Sequence, residues 1–411
     1  MSRSTSLTLA VCLVLFTGCG APTSDDAELS DAVVPPDAAS DTVTEVADAS
    51  HDDADSQDAP MDAGVPRSVD GAAEDLPTDP SENWGETIEA PEDTWTWIPF
   101  PETFCGDGSP TGIGVNLHPG ASRLVIYLEG GGACWDYGNC FGIVTTSFHL
   151  GGYDEGSFTS LFAEVYKSLL FFDRDNEKNP TADAHYIFVP YCTGDVHSGD
   201  AVVELEGLFP WEKETIHFKG HHNMKRYLTR LAPTFQDVDR VIMMGASAGG
   251  FGALLNWSAV KAAFPGKRLD VIDDSGPPIV FDGEMWAQWM DTWNIQLPDG
   301  CPECGESIGT ALEFALASLL PGGRFALVSY NRDTIIATFL GLLPGTFKER
   351  LGDLCEILDG EDSAQYFVMS GLAHTPTIFV AGTAKAEDDT PLWQWLQAMQ
   401  SDDEDWPSHK P

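Results

Sequence analysis

Positive charge is scarce in this 411-residue chain. Its 21 Lys and Arg stand against 65 Asp and Glu, for a net charge of −44. So few cations leave no basic face for phosphate backbones or anionic headgroups, and neither nucleic acid nor an anionic membrane surface is an expected partner. Long apolar runs are missing too. Past the first residues, no stretch approaches the ~18 apolar residues of a membrane-crossing helix. There is no G-x-G-x-x-G after a strand and no P-loop lysine, so no dinucleotide or nucleoside triphosphate site is expected. Metal signatures are incomplete. No second C-x-x-C follows Cys301-x-x-Cys304, and Phe218 stands where His217-x-x-x-His221 would need a glutamate. The expectation is a chain without metal or organic cofactor.

The N-terminus is a different region. Arg3 precedes an apolar run from Leu7 to Phe16, too short to span a bilayer and suited to a signal peptide. The run ends in "LFTGC", which resembles the lipobox of bacterial lipoproteins and marks Cys19 as a lipidation site. A plain secretory signal cleaved near Gly20 is the alternative. Export is expected in either case, with a lipid at Cys19 as the one membrane attachment. Residues 20–90 are rich in Asp, Ala, Ser, Thr and Pro, with Arg67 as their one Arg. Such a stretch cannot bury a core and reads as a disordered, self-repelling tether. Its aspartates lack the Gly and closing Glu of a calcium loop.

Residues 91–411 are long enough for one large domain. Export favours disulfides among its cysteines. Cys134 and Cys140 close a short loop and form the first candidate pair; Cys301 could meet Cys304 or reach Cys355. Continuous apolar runs recur at "RLVIYL", "HYIFVPY", "RVIMMG", "LDVID" and "RFALVSY". Runs of this kind suit strands buried on both faces, and the helix-like segments between them predict a mostly parallel α/β sheet.

The chemistry gathers around "GASAGGFG" after "RVIMM". Gly245-x-Ser247-x-Gly249 is the nucleophile elbow: a serine at a strained strand end, small neighbours, and a helix whose N-terminal amides face the serine. The glycines of "YLEGGGACW" follow an earlier strand, where main-chain donors could face the elbow. Gly131, Gly132 and Ala248 are the candidate oxyanion amides. Chain order in such hydrolases is Ser, acid, His. Only His374 and His409 follow Ser247, and His409 lies in an acidic tail, so His374 is the candidate base. For the acid, "LDVIDDSGPP" offers Asp274, where a turn begins, with Asp273 as the alternative. Asp195 and His197 in "TGDVHSG" read as loop-stabilising hydrogen-bonders. On the helix around Trp286, Trp289, Met290 and Trp293, a core face is favoured over the wall of an acyl pocket.

Seven blocks then stand in order: "CGDGSPTG", "YLEGGGACWDYGNC", "VPYCTGDVHSG", "HFKGHHN", "GASAGGFGALLN", "DDSGPP" and "SGLAHTP". From about residue 105 to 400 the chain resembles the pectin acetylesterase family, which includes the Notum-type carboxylesterases. The resemblance implies an α/β-hydrolase fold and hydrolysis of carboxylic esters without a cofactor. By position it puts the nucleophile at Ser247, the acid at Asp274, the base at His374 and the oxyanion amides at Gly131, Gly132 and Ala248. The expected substrate is an acetyl ester on a polysaccharide such as pectin. A lipid acyl group on a protein is the second enzyme reading, and a catalytically silent carbohydrate binder is the rival from another class. Gly132 and Ala133 replace the bulky aromatics that often follow the second glycine of the loop, and "DSGPP" lacks an aromatic after its glycine.

Overall fold

A computed structural model describes residues 85–410 except 143–146, 148, 161–165, 299, 320 and 321. Cys19, the expected signal peptide and most of the expected acidic tether lie outside the described residues. Eight strands form one sheet: β1 (Thr96–Phe100), β2 (Thr111–Asn116), β3 (Arg123–Leu128), β4 (His185–Val189), β7 (Arg240–Ala246), β8 (Arg268–Asp274), β9 (Phe325–Tyr330) and β10 (Ala364–Met369). Their order is β1-β2-β4-β3-β7-β8-β9-β10. β1 and β2 run antiparallel at one edge; from β4 to β10 every pairing is parallel. β5 (Ala201–Glu206) and β6 (Lys213–Phe218) make a separate hairpin. The architecture is that of an α/β hydrolase, with a large, mostly parallel sheet flanked by helices.

The continuous apolar runs serve two cores at once. Leu124, Ile126 and Leu128 of β3 enter one hydrophobic cluster, and Val125 and Tyr127 enter the other. Alternation along a strand sends successive side chains to opposite faces, so a sheet covered on both sides needs both sets apolar. The helices Gly220–Thr234 and Trp257–Ala263 cover the first face through residues such as Leu228, Leu231 and Trp257. The helix Leu392–Gln400 covers the second through Trp395, Leu396 and Met399.

Parallel pairing also brings the strand ends together. Leu128 stands beside Gly245, Ala246 beside Asp274, Asp274 beside Val328, and Tyr330 beside Met369. The loops after β3, β7, β8, β9 and β10 therefore leave one rim of the sheet, where open α/β sheets place their sites.

Cys134 bonds Cys140, as the short loop suggests, and Cys301 bonds Cys304. Cys105 and Cys192, separated by 87 residues, form a third bridge that spacing does not reveal. Cys355 is buried and unbridged. Two local expectations change. The run after His374 is the short helix Pro376–Phe379, not a strand, because Pro376 opens a helical turn. His409 is buried rather than solvated: its backbone pairs with Tyr366 and Val368 at the sheet edge.

Candidate active site

Ser247 occupies the strand-to-helix turn with φ 58° and ψ −119°, a conformation that costs energy in any residue with a Cβ. The fold holds it there. Its amide donates to the Asp274 carbonyl across the sheet rim at 2.7 Å, and its carbonyl accepts from Gly250 at 2.9 Å. Close packing explains the glycines nearby. A Cβ on Gly130 would meet the Ala246 carbonyl oxygen at 2.5 Å and Ser247 Cβ at 3.1 Å. Only a glycine lets the loop after β3 pass this near the serine.

That loop is braced from behind. The Glu129 amide donates to Val189 O at 3.0 Å, and the Cys134 amide donates to Gly194 O at 2.9 Å. His197 Nε2 lies 2.8 Å from Glu129 O. A carbonyl only accepts, so Nε2 carries the hydrogen; burial pushes the imidazole down to about 4 and keeps it neutral. Glu129 is itself buried, accepts from the Tyr191 amide at 3.0 Å, and is raised to about 7, chiefly by burial. Asp195 accepts from the amides of Gly199 and Gly220. "TGDVHSG" is therefore a hydrogen-bonded buttress, and its contact with Glu129 makes it a buttress of the candidate oxyanion loop.

On the other flank stands a carboxylate–imidazole pair. His374 Nδ1 lies 2.6 Å from Asp333 Oδ2. Asp333 is wholly buried, and its other oxygen caps the helix Thr334–Phe339 through the Ile335 and Ile336 amides, at 3.0 and 3.1 Å. The geometry thus corrects the expectation that Asp274 orients the imidazole. Asp274 instead accepts from the Thr377 amide at 2.9 Å, from the Thr377 hydroxyl and from Ser275 Oγ. Burial pushes its carboxyl up to about 7 against the pull of those bonds. The reason lies in the topology. Asp333 and His374 follow neighbouring strands β9 and β10, whereas Asp274 ends β8, one strand further away. The alternative, Asp273, accepts from the Gly276 amide at 2.8 Å, and its other oxygen is buried without a partner. Asp333 carries a sequence signal that the reading above missed: it follows the apolar run "RFALVSY" and caps the next helix.

Asp274 and Ser275 nonetheless join the two flanks. The Asp274 carbonyl holds the Ser247 amide, its side chain holds Thr377, and Ser275 Oγ accepts from the Thr375 amide at 3.0 Å. The loop of His374 and the elbow are thus both fastened to Asp274, and Ser275 adds a second bond to the loop.

Against Ser247 lies a cavity of about 20 Å³, lined by the small Gly132, Ala133 and Ala248 and by the bulkier Phe251, Trp289, Ile336, Phe339 and Leu340, with Val196. All three tryptophans of the helix Gly283–Trp293 belong to the core, and of them Trp289 also lines this cavity. An open groove of about 810 Å³ runs past Arg332 and Leu372, the sequence neighbours of the carboxylate–imidazole pair. Among the described residues no cluster of His, Cys, Asp and Glu could hold a metal ion, and no helix is long and apolar enough to cross a membrane.

A serine elbow, a glycine loop beside it and a carboxylate-backed histidine on one sheet rim define the α/β-hydrolase class of site. Comparison with known proteins narrows this. The pectinacetylesterase family model matches residues 99–284. The palmitoleoyl-protein carboxylesterase NOTUM of Drosophila melanogaster is 26% identical over 217 residues, 48% of this chain and 31% of the relative. The human protein of that name is 29% identical over 179 residues, 42% of this chain and 34% of the relative. The zebrafish (Danio rerio) notum1a is 30% identical over 159 residues, 38% and 29% respectively. Residues 99–284, a little under half of the chain, thus match the pectinacetylesterase family, and the relatives it resembles are Notum-type carboxylesterases. The matched stretches span about a third of the length of these relatives. The family model includes Ser247 and the glycine loop but ends before Asp333 and His374.

Proposed function

We propose that the protein is a serine carboxylesterase that removes a short acyl group, acetyl first, from an esterified polysaccharide. Asp333 on Nδ1 leaves the lone pair of His374 Nε2 for the serine proton. Ser247 Oγ attacks the ester carbonyl as that proton moves to His374. The amides of Gly131, Gly132 and Ala248 hold the oxyanion. The proton then passes to the departing alcohol oxygen as its bond to carbon breaks. Water, deprotonated by the same histidine, releases the carboxylic acid and restores the serine.

The small cavity beside Ser247 is the observation that carries the short acyl group. About 20 Å³ holds one or two water-sized groups, such as the methyl of an acetate. The pectinacetylesterase family match over residues 99–284 supports a polysaccharide as the alcohol. The names of the Notum relatives favour a second reading, removal of a lipid acyl group from a protein, but such a chain does not fit this cavity. Export, and a lipid anchor at Cys19, complete the proposal; Cys19→Ser should release the protein from membranes in fractionation.

The test is hydrolysis of p-nitrophenyl acetate and of acetylated polysaccharide, with a fluorophosphonate adduct located by mass spectrometry. A label on Ser247, with turnover lost in Ser247→Ala, is expected. Folded protein that takes no label and turns over no ester would leave a silent carbohydrate binder as the reading.

A further inference from the structure

We propose that Trp289 is the specificity-determining stop of the acyl pocket, a role that rests on the esterase reading above. In the glycine loop the residues facing the cavity are small, Gly132 and Ala133. The bulk of the lining therefore comes from other segments, from Trp289 together with Phe251, Ile336, Phe339 and Leu340. Of these, Trp289 is the largest and is 2% exposed.

Its surroundings separate it from the other tryptophans of its helix. Trp286 donates its indole N–H to Gly305 O at 3.0 Å, and Trp293 donates to Cys134 O at 2.8 Å. The indole nitrogen of Trp289 is buried without a hydrogen-bond partner. Packing alone holds the ring: it stacks on Trp293 at 4.7 Å and meets Phe281 at 5.1 Å and Trp135 at 5.3 Å. Its contribution at the cavity is volume rather than a directed bond. Phe281 and Trp135 are only half-buried. Removing the indole would extend the cavity toward the partly exposed Phe281 and Trp135. An acyl chain of medium length would then have somewhere to run. With the indole in place, each methylene beyond an acetyl group meets a wall, and a misfit of one methylene already changes rates by about 10-fold or more.

The experiment measures kcat/KM for p-nitrophenyl acetate, butyrate and octanoate in the wild-type chain, Trp289→Ala, Trp289→Leu and Trp286→Phe. Circular dichroism and melting establish that each variant is folded, and the leucine variant covers the case in which alanine collapses the helix. The wild-type chain should prefer acetate, both Trp289 variants should raise the octanoate-to-acetate ratio by about 10-fold or more, and Trp286→Phe should leave the ratio unchanged. An unaltered ratio in a folded Trp289 variant overturns the role of Trp289, as does a wild-type chain that takes octanoate as readily as acetate. Absence of any acetate turnover by the wild-type chain is a different result, and it overturns the esterase reading itself.

Discussion

The two flanks of the serine are built differently. The flank of the candidate oxyanion loop is fixed by buried hydrogen bonds and by covalent links: Cys134–Cys140 closes the segment after the glycines, and Cys105–Cys192 ties down the strand end before "TGDVHSG". The acid–base flank consists of two loops after neighbouring strands, joined by the carboxylate–imidazole contact and by hydrogen bonds such as Arg332 N to Gly371 O and Gly371 N to Asn331 Oδ1 rather than by a disulfide, and edged by the exposed Leu343 and Leu372. The difference matches what each side would do. Oxyanion donors work by being aimed before charge develops, so rigidity there lowers the barrier. The base must exchange protons with an alcohol and then with water, and it needs an approach from solvent.

The largest expected effect would break the acid–base flank. Asp333→Asn leaves the imidazole without a negative partner and should lower kcat by roughly 10⁴-fold, as for other triad acids. Asp274→Asn should cost less than about 10-fold, since that side chain braces Thr377 rather than the imidazole. Steady-state kinetics of the two variants decide between them; the reverse order would return the acid's role to Asp274.

On the oxyanion flank the effect should be smaller and of another kind. His197→Phe keeps a ring in place but leaves the Glu129 carbonyl without its donor. A drop in kcat of roughly 10- to 100-fold with little change in KM is expected, below the loss of an oxyanion donor itself. A change in KM alone would detach the buttress from catalysis.

The disulfides sharpen the comparison through stability. Opening Cys105–Cys192 frees a loop of 87 residues and should cost about 4–5 kcal/mol on a chain-entropy estimate. Opening Cys134–Cys140, with a separation of 6, should cost about 2 kcal/mol. Denaturant melts of Cys→Ser pairs check the order.

The last test is electrostatic. Burial raises Asp273 from 3.8 to about 8, so the folded chain keeps a proton that the unfolded chain loses. Its contribution to stability is full below about pH 4 and is lost as pH climbs to about 8. Asp273→Asn, neutral at every pH, should therefore flatten the decline in melting temperature across that window. A decline as steep as in the wild-type chain would assign it to other groups, Glu129 and Asp274 among them.

Much of this was legible in residue order. Ser247 declares itself because a strained turn tolerates only small neighbours, and those neighbours are adjacent in sequence. His374 stands out as a candidate because few histidines follow the elbow; what the structure adds is its contact with Asp333. Asp333 was missed for the opposite reason. Several aspartates follow strands, and which one meets the imidazole depends on which strand lies beside β10. His409 shows the same limit: its acidic neighbours suggest a solvated tail, yet pairing with β10 buries it.

By itself, the sequence determined the elements and the local chemistry: apolar runs that must be covered on both faces, a serine turn, a glycine loop and a short disulfide. Each of these depends on residues a few positions apart, where sterics and periodicity act directly. Tertiary structure alone decided that Asp333 meets His374, that Cys105 meets Cys192, and that Trp289 rather than its helix neighbours faces the cavity. Those contacts join distant segments, and strand order and helix rotation set them through the packing of the whole core.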